Sequence, residues 1–392
     1  MTPKTRVRRA LFRTWPLLAA LALLAGMPFL LWQCRESRVA VKSAIYLPEM
    51  LAPLPVRPIE LISDAPIKER VTIEYESRDG PRRMEADLYR PRDATDAPGV
   101  VFSMGAPPLD LDDDNLTRIS DVIARAGVVL LVPFSDRLDE ERIEPEEIDA
   151  LVAQFRYVQE LPGVDASRVG FFGASVGGSL ALVAAADERI NDEVAYVVSF
   201  GGYFDAIETF AAVVTGHIAY NGVDEAWEPR RHAKDVVAQQ IINRVGTARD
   251  RGMLYRLFVD REDVPGAELA MLSDEGRVAY DVLSSSEPQE AIAAMSRLPA
   301  GALAELEYLS PLTHVHALQA ELFILHDQAD EFIPYTELRR FRDAVGGRPD
   351  THFDETRIFE HVEPRLGQRP DRLIFDMARV LYRMYQLLLL WE

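Results

Sequence analysis

The sequence predicts an α/β fold with a mostly parallel twisted sheet, helices on both faces, an antiparallel N-terminal hairpin and an inserted helical cap. Short apolar runs alternate with helical stretches from Gly99 onward, which indicates parallel strands joined by crossover helices. The runs are apolar almost throughout, as strands covered on both faces are. The alternation stops between about residues 206 and 310, where helical periodicity such as ALAELEYL predicts the cap.

Two alternating runs predict the hairpin. They are VTIEYES at 71–77 and MEADLYRP at 84–91, and the glycine-containing stretch RDGPRR lies between them. Alternation on both sides of such a turn is typical of paired strands, so this hairpin forms an antiparallel edge of the predicted sheet.

The parallel part of the sheet is predicted from runs on both sides of the cap. The runs are GVVFSMG at 99–105, VVLLVPF at 128–134, RVGFFGAS at 168–175, AYVVSFGG at 195–202, ELFILHD at 321–327 and a short strand around 356–359. Helices are predicted near 116–126, near 145–159, directly after RVGFFGAS, near 335–344 and near 372–390.

Length and charge limit the function classes. A chain of 392 residues fits one elaborated core, and a formal charge of −20 argues against a nucleic-acid partner. The single cysteine, Cys34, excludes an intrachain disulfide and a thiolate zinc site. No cofactor and no obligate protein partner are inferred.

The N-terminus contains an uncharged apolar stretch, TWPLLAALALLAGMPFLLW at 14–32, about long enough to cross a bilayer as a helix. Basic residues precede it, so the positive-inside tendency predicts a cytoplasmic segment 1–13, a single-pass plasma-membrane anchor and a periplasmic or extracellular domain. A cleaved signal peptide and a buried core helix are the alternatives. Prolines then predict an extended linker at 33–68, followed by the main domain at 69–392 with the cap at about 206–310.

The sharpest local signal is Gly173-Ala174-Ser175-Val176-Gly177, which follows an apolar strand and precedes a helical stretch. A serine on such a strand-to-helix turn is held exposed above the sheet, and the glycines avoid collisions at the turn. This context predicts a nucleophile at Ser175. The alternative is a glycine-rich helix start that only packs closely on the sheet.

A serine nucleophile needs a general base that a carboxylate orients, and in this arrangement the acid and the base follow the serine in the chain. Asp330 lies in the loop after ELFILHD, at the carboxyl edge of the sheet, and is the predicted acid, with Asp327 and Asp205 as alternatives. His352 and His361 follow it. His361 is favoured because it comes after the short strand, on the carboxyl side where Ser175 must also lie.

Two backbone N–H groups are predicted to bind the oxyanion. The first belongs to Val176, at the start of the helix after the serine, and the second to Gly105 or Ala106, in the loop after GVVFSMG. A glycine needed only for a turn is the alternative at Gly105.

Residues of about 70 to 392 resemble the α/β-hydrolase superfamily, especially its esterase-like and dienelactone-hydrolase-like branches. The resemblance rests on the segments VDASRVGFFGASVGG, LSPLTHVHALQAELFILHDQADEFIP and RIFEHVEP. It implies a Ser-Asp-His hydrolase that acts through an acyl-enzyme, with the cap shaping substrate access. The chain departs from the family's pattern in its long helical insertion and in Ser103-Met104-Gly105, where a His-Gly is familiar.

The predicted function is therefore a membrane-anchored serine hydrolase that cleaves a small-molecule carboxylic ester, with amide or thioester cleavage as the same chemistry. A non-catalytic envelope binding or assembly protein and an acyltransferase are the alternatives. No metal site is predicted. The acidic run at 110–114 fits helix capping, and His314 and His316 lack further ligand residues nearby.

Overall fold

The structure is a computed structural model that describes residues 34–106, 110–364 and 370–392. Its strands are β1 (Ile67–Ser77), β2 (Gly80–Arg90), β3 (Ala97–Ser103), β4 (Val129–Pro133), β5 (Val164–Ala174), β6 (Tyr196–Phe200), β7 (His217–Tyr220), β8 (Val223–Ala226), β9 (Glu321–Asp327), β10 (Thr351–Thr356), β11 (Phe359–Glu360) and β12 (Glu363–Pro364). Its α-helices are α1 (Arg35–Leu51), α2 (Asp114–Arg125), α3 (Asp136–Asp139), α4 (Glu146–Gln159), α5 (Val176–Ala185), α6 (Ala206–Thr215), α7 (Arg231–Asn243), α8 (Ala248–Phe258), α9 (Gly266–Leu269), α10 (Asp274–Leu283), α11 (Pro288–Met295), α12 (Ala300–Tyr308), α13 (Pro311–His314), α14 (Thr336–Val345) and α15 (Pro370–Trp391).

Eight strands form one sheet in the order β1-β2-β4-β3-β5-β6-β9-β10. β2 pairs antiparallel with both β1 and β4, and the other neighbours are parallel. The predicted parallel sheet with an antiparallel N-terminal hairpin is confirmed. Because the carboxyl ends of parallel strands meet at one edge, the loops after β3, β5, β6 and β9 converge there.

Helices cover both faces of this sheet, as predicted. On one face α4 and α5 bury Phe155 and Leu180 in the larger core, to which α14 also contributes. On the other face α1, α2 and α15 share a second core that includes Leu116 and Leu388. Each such side chain contributes about 1.5–3 kcal/mol when it is fully buried, so both layers stabilise the sheet that carries the loops.

The chain between β6 and β9 forms helices α6 to α13 and the small hairpin β7–β8. The helices share a core of their own, in which Phe210, Ile241, Leu254 and Met295 are buried. The helical insertion is confirmed as part of the fold. The hairpin was not predicted, because all four residues of β8 are exposed and leave no alternating pattern in the sequence.

Part of the linker predicted as extended at 33–68 is helical, because α1 occupies Arg35–Leu51. This helix buries Val39 and Tyr46 against the second core. It is also held by the far end of the chain, since Glu392 accepts hydrogen bonds from Arg38, at 3.0 and 2.6 Å, and from Lys42. The prolines of this segment therefore do not keep it extended, and Pro48 lies within the last turn of the helix.

The last strand of the sheet also lies earlier than predicted. β10 covers Thr351–Thr356 and pairs in parallel with β9, whereas Phe359–Glu360 pairs with Glu363–Pro364 in a separate two-stranded hairpin. His352 is consequently a residue of β10, and His361 lies in the turn between β11 and β12.

The prediction of a transmembrane anchor at 14–32 falls outside the described residues. Within the described ranges, no helix is both long and apolar enough to cross a bilayer. The longest, α15, has 22 residues but carries Asp376, Arg379 and Arg383 along its length, and a charge at the bilayer centre costs several kcal/mol. The predicted membrane anchor and the plasma-membrane location derived from it are therefore not retained, because no described helix supports them.

Candidate active site

Ser175 lies between the last residue of β5 and the first residue of α5. Its backbone has φ 55° and ψ −135°, a conformation that non-glycine residues rarely adopt and that costs on the order of 1–3 kcal/mol. Its N–H donates to the carbonyl oxygen of Phe200, at the end of β6, at 2.8 Å. The strained turn that the sequence predicts at this serine is therefore present, and it is tied to the neighbouring strand.

The glycines around Ser175 are required by close backbone approach. A Cβ on Gly173 would stand 2.5 Å from the Gly177 carbonyl oxygen, and a Cβ on Gly177 would stand 2.2 Å from the carbonyl oxygens of Ser103 and Met104. Such distances are far inside van der Waals contact, so no side chain fits at either position. The same approach brings the loop after β3 against the start of α5.

That loop places Gly105 beside the serine. A Cβ on Gly105 would lie 3.1 Å from the Ser175 Cβ and 3.4 Å from its Oγ, so the Gly105 backbone borders the hydroxyl directly. Val176 opens α5 on the other side, where helix N–H groups lack intrahelical partners. Ala106 follows Gly105 and packs partly against the main core. All three predicted oxyanion donors thus lie in the two segments that flank Ser175.

Asp330 and His361 are in direct contact. Nδ1 of His361 lies 2.7 Å from Oδ2 of Asp330, and both residues are buried. The other carboxylate oxygen, Oδ1, accepts hydrogen bonds from the N–H groups of Phe332 and Ile333, at 2.8 and 3.0 Å. Asp330 is therefore held by its own loop with one oxygen turned to the imidazole.

His361 reaches the serine's side of the sheet. A Cβ on Gly201, the residue after Phe200, would lie 3.4 Å from Nδ1 and Cε1 of His361. The imidazole therefore lies over the end of β6. Ser175 follows β5, the neighbouring strand, and its N–H donates to Phe200 at that same end of β6. Phe332 stacks on the ring, with 4.7 Å between ring centroids.

The electrostatics of Asp330 favour the carboxylate. Burial alone would raise the pKa of this carboxyl, but the attraction of His361 and the proximity of His326 outweigh burial and hold the pKa well below its usual range. An ionised carboxylate only accepts hydrogen bonds, so the hydrogen of the Asp330–His361 contact lies on Nδ1 of His361. In the neutral ring, Nε2 is then free to accept a proton.

The alternative acids make structural contacts instead. Asp327 accepts hydrogen bonds from the Ala329 N–H through Oδ1 and from the Thr356 hydroxyl and the Phe359 N–H through Oδ2. It therefore joins the end of β9 to the chain that leads to His361. Asp205 caps α6 by accepting from the N–H of Ile207 at 2.9 Å.

His352 lies far from this group. Its Nε2 is 2.8 Å from Oε1 of Glu321, the first residue of β9, whereas Asp330 follows the last residue of that strand. Its ring packs beside Phe323 at 4.7 Å between centroids. The structure thus brings His361 to Asp330 and places His352 at the opposite end of the sheet.

Sequence reasoning missed two side chains that contact the acid. His326, a fully buried residue of β9, has Nε2 3.2 Å from Oδ2 of Asp330. Trp227, from the insertion, donates its indole N–H to the Asp330 carbonyl oxygen at 2.9 Å. His326 lies in the motif HDQAD and could have been noticed there, whereas nothing in the sequence marks a bond from Trp227 to a backbone carbonyl.

The family comparison falls on the same region. Residues 148–237, which contain Ser175 and its turn, match the family model of acetyl xylan esterase. No curated protein matches the chain in the sequence comparison.

Among solved structures, the chain is similar to three hydrolases at low identity. A hyperthermophilic esterase from the archaeon Pyrobaculum calidifontis is 16% identical over 92% of each chain, with a TM-score of 0.46. Porphyromonas gingivalis dipeptidyl peptidase 4 is 14% identical over 82% of this chain and 36% of its own, and Pyrococcus horikoshii acylaminoacyl peptidase is 13% identical over 83% and 42%, each with a TM-score of 0.46. The chain therefore spans less than half the length of either peptidase.

Proposed function

We propose that this chain, a member of the α/β-hydrolase superfamily, is a serine hydrolase that cleaves a carboxylic ester with Ser175, His361 and Asp330. The observation that carries the proposal is the 2.7 Å contact between His361 and the ionised Asp330, over the strand end to which the strained Ser175 is bound. A buried carboxylate, an imidazole and a strained serine at the carboxyl edge of a parallel sheet together support acyl transfer.

The reaction follows from these positions. Nε2 of His361 accepts the proton of the Ser175 hydroxyl while Oγ attacks the ester carbonyl carbon, and Asp330 stabilises the imidazolium that forms. The N–H of Val176 and that of Gly105 or Ala106 donate to the oxyanion. His361 then returns its proton to the departing alcohol, which leaves an acyl group on Ser175. Water, deprotonated by the same imidazole, attacks the acyl carbon, and His361 returns that proton to Ser175 Oγ as the acid is released and the serine hydroxyl is restored.

The ester is preferred to an amide on the evidence of the matched family, and thioester or amide cleavage would use the same groups. The contacts between the insertion and the loop that carries Asp330 support a role of the insertion as a cap. Besides Trp227, the backbone N–H of Arg230 donates to the Glu331 carbonyl oxygen at 2.7 Å. A cap anchored in this way can restrict which substrates and how much water reach the serine.

The insertion's apolar stretches are less suited to line an acyl pocket. Phe210 and Val213 of α6, and Met253 and Leu254 of α8, are buried, and all but Met253 belong to the insertion's own core cluster. We therefore attribute substrate selection to residues at the boundary between the insertion and the sheet, such as Trp227 and Phe332.

The test is ester turnover by the full chain across a panel of p-nitrophenyl esters of graded acyl length. We expect measurable hydrolysis that Ser175→Ala abolishes. Ser179→Ala is the matched control, since it removes a buried hydroxyl from the same helix, one that donates to the Tyr203 carbonyl oxygen at 2.8 Å. That variant should keep its turnover and lose only about 1 kcal/mol of stability. Equal turnover by Ser175→Ala and the parent would refute the proposal.

A further inference from the structure

The Asp330 carboxylate is approached by two imidazoles. Oδ2 lies 2.7 Å from Nδ1 of His361 and 3.2 Å from Nε2 of His326. Only the first is needed for the proposed reaction, because the His361 ring lies over Gly201 at the end of β6, whereas Nε2 of His326 is 3.0 Å from the carbonyl oxygen of Ile333. His326 approaches from inside the sheet, as the penultimate residue of β9, and is fully buried.

The hydrogen on His326 can be assigned from its partners. Nε2 lies 3.0 Å from the carbonyl oxygen of Ile333, which can only accept a hydrogen bond. Nε2 therefore carries a hydrogen, aimed at Ile333 and close to Oδ2 of Asp330. The same N–H thus contacts both ends of the acid loop, which runs from Asp330 to Ile333. Its hydrogen carries a partial positive charge, which faces the carboxylate.

We propose, as a consequence that rests on the proposed function, that His326 is a positioning residue that shares the Asp330 carboxylate with His361 and limits how strongly that carboxylate holds a proton on His361. A carboxylate oxygen near two N–H groups divides its negative charge between them, so each contact is weaker than it would be alone. A weaker contact leaves His361 less basic, and more of it neutral and ready to deprotonate Ser175 at a given pH.

Other titratable groups also face the cluster and must stay unchanged in a test. Glu337 approaches from α14 and acts on His326 electrostatically. Asp327 precedes the acid loop on β9 itself. Two groups of the insertion lie near Phe332, the residue whose ring stacks on His361. The Arg230 guanidinium is 5.9 Å from the centroid of the Phe332 ring, and the centroid of the His232 ring is 6.4 Å from it. None of these is altered by substitution at His326.

The test compares His326→Gln with His326→Leu in the full chain. A glutamine amide nitrogen reaches about as far as imidazole Nε2 and retains the donor, whereas leucine keeps an apolar side chain of similar reach without one. The readout is the titration midpoint of the His361 imidazole by NMR, with its signal assigned by its disappearance in His361→Ala. If His326→Leu does not fold, His326→Asn is the second variant without a donor at Oδ2, because its amide nitrogen is too short to reach that oxygen; these two are the donor-free variants in this sense.

We expect the His361 midpoint of His326→Gln to stay near that of the parent, and the midpoint of the donor-free variant to rise by about 0.5–1 pH unit. The acidic limb of the pH dependence of fluorophosphonate labelling should move in the same direction. An unchanged midpoint in a folded donor-free variant, or failure of both donor-free variants to fold, would overturn the proposal and leave His326 a purely structural residue. A parent chain that the probe does not label would instead overturn the proposed hydrolase, whatever the titration gave.

Discussion

Asp327 and Asp330 are both buried, yet their oxygens have different partners. Both oxygens of Asp327 accept hydrogen bonds from loop and strand groups, whereas Asp330 keeps Oδ2 for imidazoles. Hydrogen-bond partners, and not burial, therefore separate the structural carboxylate from the proposed catalytic one.

Substitution of each aspartate by asparagine should separate these roles. Asp330→Asn retains an acceptor for the loop but no longer orients the His361 tautomer, so we expect kcat to fall by about 10⁴-fold with little change in folding. Asp327→Asn replaces one acceptor of a buried network and should cost about 1–3 kcal/mol of unfolding free energy, with a much smaller loss of turnover. Steady-state kinetics and urea denaturation of both variants measure the two effects. A reversed ranking in kcat would move the acid to Asp327.

The two candidate bases allow a similarly matched pair. His361→Ala should lower kcat/KM by at least about 10³-fold, because it removes the imidazole that contacts Asp330 and lies over Gly201 at the end of β6. His352→Ala removes a contact with Glu321 at the opposite end of β9 and should leave kcat/KM within a few fold of the parent. Circular dichroism checks that both variants fold. Activity lost in His352→Ala and kept in His361→Ala would contradict the assignment.

At the scale of elements, the insertion and the acid loop are joined by a hydrogen bond that a conservative change can remove. Trp227→Phe keeps an aromatic ring but loses the donor to the Asp330 carbonyl oxygen. One such bond is worth about 0.5–1.5 kcal/mol, so we expect kcat/KM to fall by up to about tenfold if the loss is felt at the acid.

Tyr220→Phe is the control for that experiment. It removes another bond of the insertion, an exposed one from the Tyr220 hydroxyl to Oδ2 of Asp343 on α14 at 2.5 Å. This variant should keep the parent's kcat/KM. If both variants lost activity equally, the effect would come from general loosening of the insertion and not from the Trp227 contact.

For the whole molecule, pH should affect stability through buried carboxyls. Burial raises the pKa of Glu147, on α4, from the usual value of about 4.5 to about 7. The protonated form is therefore favoured in the folded state, and stability present below about pH 4.5 is lost as pH rises to about 7.

Glu147→Gln removes this dependence, because the amide stays neutral and can still accept from the Ser135 hydroxyl. Relative to the parent, the variant should gain up to about 3 kcal/mol in unfolding free energy between pH 4.5 and pH 8. Urea denaturation at the two pH values measures the change, and Glu146→Gln controls for the loss of one surface charge. If Glu147→Gln and Glu146→Gln changed the unfolding free energy equally at both pH values, burial would not raise the pKa of Glu147.

The predicted fold could be obtained from the sequence because its evidence is local. Apolar runs such as VVLLVPF and FFGAS keep their pattern wherever they pack, and the serine turn needs its glycines within a few residues. Chain order then limited the acid and base to a few residues near the end of the chain.

Two features that the sequence analysis missed depend on contacts between residues far apart in the chain. The prolines of the segment predict an extended chain, whereas the helix α1 is held by Glu392, 354 positions from Arg38, a contact that the local sequence does not indicate. Trp227 lies 103 positions from Asp330 and donates to its backbone oxygen. Every residue has such an oxygen, so the residue types in the sequence do not indicate this bond. The membrane anchor was inferred from apolar length alone, and the described helices do not support it.

The central claim is that Ser175 is the nucleophile, and the most direct measurement is the site of covalent modification. The full chain, treated with a fluorophosphonate and digested, is analysed by tandem mass spectrometry to locate the phosphonyl group. We predict a single adduct on Ser175, formed much more slowly in His361→Ala because the base that activates the hydroxyl is absent. An adduct on another residue, or no adduct on a folded chain, would contradict the account.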